Sequence, residues 1–482
     1  MRLKLAGFVV AASSFLAAQS AFAADLPTKA PVNKAPMAAG IPWTGFYVNG
    51  GVGYGIWAAD TTIVDTATGV CTNCPTQVQG GKGWLATIGA GYDYQFTPQI
   101  VAGIFGDASL SSLKGTIQDG FPFLAGEIKQ TSSWSIGARG GWLVTPKTLS
   151  YWNGGYTGAR FSGTDMVITI TGTPTPFTTP AFTANGWFLG GGLETSVAPN
   201  WFWRTEYRYA YYGSKSLPEA NATGLAGSSI TFKPTVQTVT SQIVYKFNGG
   251  LPAPVYPATP SMATNWTGFY ANAGFGYGLW AADTTTVSAT TGVCSLCVTQ
   301  VQGGKGYLGV IGAGYDWQFA PTWVAGVFGD FEISSLKGTL QDQWLGGAFA
   351  ISGEIKQTSA WAVGPRLGWL PSPQTMTYVN GGYTSARFSG VNMVGQAGQS
   401  LGFSTQAFTA GGWFLGGGVE TACDLLGKIL GKGCFWRNEY RYANYGSKTV
   451  ADTDATGVST LASITFKPVV QTFTSQLVFK FN

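Results

Sequence analysis

The stretch Trp201–Tyr212, WFWRTEYRYAYY, alternates with a period of two residues, and it returns as Cys434–Tyr445, CFWRNEYRYANY. Arg204, Glu206 and Arg208 fall on one face of a strand, and Trp203, Tyr207, Tyr209 and Tyr211 fall on the other. The same alternation recurs along the chain. From residue 84, Trp84, Ala86, Ile88, Ala90, Tyr92, Tyr94 and Phe96 alternate with Leu85, Thr87, Gly89, Gly91, Asp93 and Gln95. A soluble sheet hides its apolar row and wets a charged one. Here the polar row is Gly, Ser, Thr, Asn and Gln with few charges, so the pattern is inside out. It predicts an all-β fold, a transmembrane antiparallel β-barrel whose apolar row faces lipid. Aromatic residues gather at strand ends, as Trp134 and Trp142 do, where interfacial girdles form.

Eight strands are predicted in the first half: Gly45–Trp57, Gly83–Phe96, Ile100–Leu110, Ile128–Val144, Leu149–Phe161, Thr183–Val197, Trp201–Tyr212 and Ile230–Phe247. Short turns at Pro98, Pro146 and Pro199 alternate with loops of a dozen residues or more. That asymmetry places the tight turns in the periplasm and the long loops outside, and an even strand count returns both termini to the periplasm.

A repeat of about 223 residues organises the chain, far longer than a solenoid unit. Trp43–Tyr47 returns as Trp266–Tyr270, Gln77–Gly83 (QVQGGKG) as Gln300–Gly306, Ser111–Thr116 (SSLKGT) as Ser334–Thr339, and Gly126–Ser132 (GEIKQTS) as Gly353–Ser359. The expected organisation is a signal peptide over 1–23 with Arg2, Lys4 and an apolar core, a periplasmic leader over 24–42, a barrel over 43–248, a Pro-rich linker over 249–265 and a second barrel over 266–482. The linker decides between two tandem eight-stranded barrels and one sixteen-stranded barrel. A large porin would join its eighth and ninth strands by another tight turn, so two barrels are preferred.

Composition narrows the function. Charged residues are 10%, aromatics 14%, and there are 70 glycines but no histidine. Without histidine, Ser-His-Asp and Cys-His catalysis and His-liganded metal sites are excluded, so neither an enzyme nor a cofactor protein is expected. A formal charge of +5, two units of which leave with Arg2 and Lys4, gives no footprint for nucleic acid. The inward rows place Asp93, Asp107, Arg139, Glu194, Arg204, Glu206 and Arg208 in one lumen, and Asp316, Asp330, Arg366, Glu420, Arg437, Glu439 and Arg441 in the other. In a narrow lumen these charges should pair. Such a network either merely neutralises itself or acts as a plug that rearranges to open a path. Cys71 with Cys74, Cys294 with Cys297, and Cys423 with Cys434 are expected as local disulfides in an oxidising compartment.

The opening WTGFYVNGGVGYG, the strand WRTEYRYAYYG and the closing YKF resemble the small outer-membrane β-barrel proteins of alphaproteobacteria, the "porin family" with an OmpA-like eight-stranded barrel. The likeness spans each repeat, although the family usually has one barrel. It implies an integral outer-membrane protein serving envelope structure, with slow passage of small solutes left open. It also implies outer-membrane lipid, the barrel assembly machinery and periplasmic chaperones as partners. Phe479 and Phe481 would carry the C-terminal insertion signal, offset by Asn482. The alternatives are a sixteen-stranded general diffusion porin and a surface protein that binds or adheres through its long loops.

Overall fold

The structure, a computed structural model, describes residues 41–71, 76–119, 124–169, 171–221, 224–247, 265–294, 297–342, 351–395, 398–423, 433–454 and 456–481. The signal peptide, most of the leader and nearly all of the linker lie outside the described residues. The first copy contains β1 (Gly45–Asp65), β2 (Gln77–Gln95), β3 (Ile100–Asp119), β4 (Leu124–Thr145), β5 (Thr148–Phe161), β6 (Thr164–Ile168), β7 (Pro174–Thr179), β8 (Phe182–Ala198), β9 (Trp201–Tyr212), β10 (Lys215–Asn221) and β11 (Gly224–Phe247). The second contains β12 (Gly268–Ser288), β13 (Gln300–Ala320), β14 (Trp323–Asp342), β15 (Ile351–Ser372), β16 (Thr375–Phe388), β17 (Val391–Val394), β18 (Ser400–Thr405), β19 (Phe408–Ala422), β20 (Cys434–Tyr445), β21 (Lys448–Thr453) and β22 (Ser459–Phe481).

In each copy eight long strands pair antiparallel around a ring. β1 pairs with β2, and the order continues through β3, β4, β5, β8, β9 and β11. β11 then returns to β1, in register from Phe46↔Phe247 to Asp65↔Ser228. β12 pairs with β13 on one side and with β22 on the other, from Phe269↔Phe481 to Ser288↔Ala462. The sixteen-stranded alternative, which needs β11 beside β12, is therefore corrected: the edge of β11 is already taken by β1. The outward rows are those expected. Phe46, Ile88, Ile104 and Ile136 are exposed, and so are Trp134 and Trp142.

Two expectations need revision. The strands overrun their predicted ends on the long-loop side, and the Thr-, Pro- and Gly-rich loops contain strands of their own. β10 pairs with β11, β6 with β4 and β7, and β21 with β22. Thr-rich segments suit a pleated surface, and the overrunning strands offer them open edges. Each barrel thus continues past the aromatic girdle as a sheet in water. Inside that extension the packing is of soluble type: Trp57, Leu113, Ile117, Ile128, Phe161, Ile230 and Phe232 are buried together. The inner row below it is mostly polar.

The two rings meet along a seam of approximate twofold symmetry. Lys82 Nζ lies 2.7 Å from Asp283 Oδ1, and Lys305 Nζ lies 2.8 Å from Asp60 Oδ2. The Val78 N–H donates to Thr339 Oγ1 at 2.7 Å, and the Val301 N–H donates to Thr116 Oγ1 at 2.8 Å. Gln79 faces Gln302 on the pseudo-axis. Ile56, Ala58, Leu279, Ala281 and Val469 fill the space between the ion pairs. The ion pairs and the Thr-to-backbone bonds each have their mirror, so the interface is close to isologous inside one chain.

Candidate functional site

The lumen of the first barrel is built in tiers, because residues two apart on neighbouring strands point to one axis. At the short-turn mouth, the Trp43 indole N–H donates to the Pro146 carbonyl at 3.1 Å, and its ring packs 5.0 Å from Phe202. Above it Arg139 binds Asp93 through two nitrogens, the Nε contact being 2.8 Å, and reaches Glu194 Oε2 at 2.8 Å. Arg204 donates to the same Glu194 oxygen at 2.9 and 2.7 Å. Lys246 joins Asp93 at 2.6 Å and Glu194 at 3.0 Å. The Tyr47 ring lies against both guanidinium groups, at 4.5 and 4.9 Å.

The next tier centres on Arg208. It contacts Asp107 at 3.0 and 2.7 Å, Glu206 at 2.7 Å and the Ser135 hydroxyl at 3.1 Å. Tyr151 and Asn153 donate to the other Glu206 oxygen, each at 2.8 Å. The space left beside Arg208 is about 40 Å³, enough for a few waters. The third tier is the apolar cap, in which the Trp57 ring stands 5.6 Å from Phe232, and Phe161 stands 5.3 Å from Phe232.

All seven predicted inward residues of the first copy therefore enter this network, and so do their counterparts. Arg366 binds Asp316 and Glu420, Arg437 binds Glu420 at 2.8 Å, and Arg441 binds Asp330 at 2.6 Å and Glu439 at 2.7 Å. Sequence reasoning missed Lys246 and Lys480, although both lie in register with the polar inward row of the closing strand. It also missed Glu332, 3.6 Å from Arg441, whose place in the first copy is held by Ser109. The first lumen balances four acids with four bases, whereas the second sets five acids against four bases.

Arg204 and Arg208 lie between two other closures, the Trp43 mouth and the Trp57 cap, so their rearrangement alone frees no path. The packing sets each of these charges beside an opposite one.

On the long-loop extension, burial and then the neighbouring Asp342 carboxylate push the Asp452 carboxyl up to about 7. Asp342 also accepts a hydrogen bond from Thr286 Oγ1 at 2.9 Å. Among the described residues no cluster of three His, Cys, Asp or Glu side chains is placed to hold a metal.

Cys294 and Cys297 are disulfide-bonded. Cys71 is bonded too, and its expected partner Cys74 lies outside the described residues. The expected Cys423–Cys434 bridge is corrected, since no disulfide joins the two. Instead the Cys423 N–H donates to the Cys434 carbonyl at 2.9 Å. Phe479 and Phe481 stand on the outward row of β22, opposite Ala271 and Phe269.

The Outer membrane protein beta-barrel domain family matches residues 8–247. A 25 kDa outer-membrane immunogenic protein of Brucella abortus biovar 1 is 31% identical over 247 residues, covering 50% of this chain and 96% of the relative. A 31 kDa outer-membrane immunogenic protein of Brucella melitensis biotype 1 is 28% identical over 251 residues, covering 50% of this chain and 98% of its own length. Among solved structures, the Neisserial surface protein A crystal structure is 18% identical and covers 42% of this chain and 98% of its own, with a TM-score of 0.22.

Proposed function

The chain belongs to the outer-membrane β-barrel family that includes those Brucella proteins, and on that premise we propose that it is a closed pair of barrels serving envelope structure, not a diffusion pore. The observation that carries this reading is the triple closure of each lumen, by Trp43, by the ion tiers and by the Trp57 cap, with Trp266 and Trp280 repeating the arrangement. Eight strands leave an interior that side chains fill, and here oppositely charged groups fill it in pairs.

The short turns lie in the periplasm and the extensions face outward, which puts both chain ends in the periplasm. The partners are outer-membrane lipid, periplasmic chaperones and the assembly machinery that reads the Phe479 and Phe481 end. The proposal includes no enzymatic role and no nucleic-acid partner.

Liposome swelling in graded sugars tests this. Vesicles carrying the mature chain are expected to take up arabinose no faster than empty vesicles, and the Arg204→Ala/Arg208→Ala variant is expected to behave the same way. Rapid uptake by the wild type overturns the closed-barrel reading. Uptake by the double variant alone restores the gate.

A further inference from the structure

The seam holds the two barrels tightly only at the long-loop end. There the reciprocal Lys–Asp pairs, the Thr-to-backbone bonds and the apolar strip of Ile56 and Leu279 press the walls together. Gly80 and Gly303 allow that approach. A Cβ on Gly80 would fall 2.5 Å from the Gln302 carbonyl oxygen, and one on Gly303 would fall 2.4 Å from that of Gln79. Further down, rings touch at fewer points. Tyr207 stacks on Phe473 with centroids 4.5 Å apart, and Tyr209 meets Tyr277 edge-on at 5.5 Å.

From the seam down to the short turns a groove of about 2670 Å³ remains between the walls, well beyond the roughly 300–1,000 Å³ of a small-molecule pocket. Leu193, Val197 and Trp203 line one side, and Leu415, Val419 and Trp436 line the other. All six lie on outward rows, so the groove is continuous with the lipid-facing belt and lies at membrane depth. Its lining is mostly apolar, and no protein segment among the described residues enters it. A cation, Lys147, stands at its short-turn rim.

We propose that this groove is a binding site for a glycerophospholipid of the periplasmic leaflet, with its acyl chains wedged between the barrels and its phosphate at Lys147. The seam closes the groove toward the outer surface, so an occupant enters from the short-turn side. The orientation rests on the placement of the short turns in the periplasm given above; the occupancy does not. An acyl chain in the groove touches protein on three sides, whereas one on an open barrel wall touches it on one. Such a lipid is retained when surrounding lipid exchanges.

Native mass spectrometry of the full mature chain tests this, after release from detergent supplemented with palmitoyl-oleoyl-phosphatidylethanolamine and extensive washing. The wild type is expected to keep the phospholipid. Leu193→Trp/Val419→Trp, which fills the groove, is expected to retain at least tenfold less, and Lys147→Ala several-fold less. Val239→Trp, on the same wall, serves as a second filling variant, and the heat-induced mobility shift on gels verifies that each variant has folded. Equal retention by the filled variants, retention of detergent only, or selective retention of lipid A overturns the site. Loss on Lys467→Ala but not on Lys147→Ala overturns the headgroup placement, and with it the periplasmic assignment of the short turns. Closure of the lumens is read separately by the swelling assay.

Discussion

Arg441→Ala is expected to destabilise the second barrel by about 3–5 kcal/mol, the range for removing one partner from a buried charge pair. Arg441 is the sole base in a tier that contains Asp330, Glu439 and Glu332, and its side chain is 8% exposed. Without it three carboxylates face one another with little water to screen them. Tyr378 and Asn380 still donate to Glu439, at 2.6 and 3.0 Å, but the bidentate partner of Asp330 is gone. Arg208→Ala strands only Asp107 and Glu206, in a tier where Ser109 replaces the third acid, so its cost should be smaller. Urea titration of the two variants in phospholipid vesicles, read by tryptophan fluorescence, gives both values. Equal losses would show that Glu332 does not load the second tier.

Trp57→Ala is expected to cost about 3–5 kcal/mol, as large-to-small changes of a buried aromatic do. The ring is fully buried, and its N–H donates to the Leu113 carbonyl at 3.2 Å. It lies in a bed made by two glycines. A Cβ on Gly81 would fall 2.1 Å from the indole, and one on Gly115 would fall 2.4 Å from it. Alanine therefore leaves a cavity that rigid strand backbone on both sides cannot collapse. The loss should appear in the extension, as proteolysis of the long-loop end at denaturant concentrations where the membrane-spanning part survives. Simultaneous loss of both parts would mean that the cap is not a separate unit of stability.

The membrane-facing half of this architecture was legible because lipid imposes a strict period: every second residue is apolar, and only the short turns interrupt it. The seven inward charges of each copy followed from the same parity. The repeated motifs were legible only as marks of duplication, yet they build the seam and the cap. In QVQGGKG, Gln79 and Gly80 meet the other barrel, Gly81 beds Trp57, and Lys82 pairs with Asp283. In SSLKGT, Gly115 beds the same ring, and Thr116 accepts the Val301 N–H of the other barrel. Contacts between copies leave no period along a single strand, so alternation could not reveal them. The strands inside the loops were missed for a related reason. Thr- and Pro-rich sequence becomes strand only where a long neighbour such as β11 offers an edge, and that edge depends on how far the barrel overruns the membrane.

The central claim is that each copy closes on itself. Val52 and Ser241 are register partners on the outward faces of β1 and β11. In a full-length chain with its native cysteines replaced by serine, Val52→Cys/Ser241→Cys should form an intramolecular disulfide almost completely on mild oxidation in membranes. Ser241→Cys/Phe275→Cys, which spans β11 and β12, should not. Bridging between β11 and β12 with none between β11 and β1 would contradict the account and restore a single large barrel.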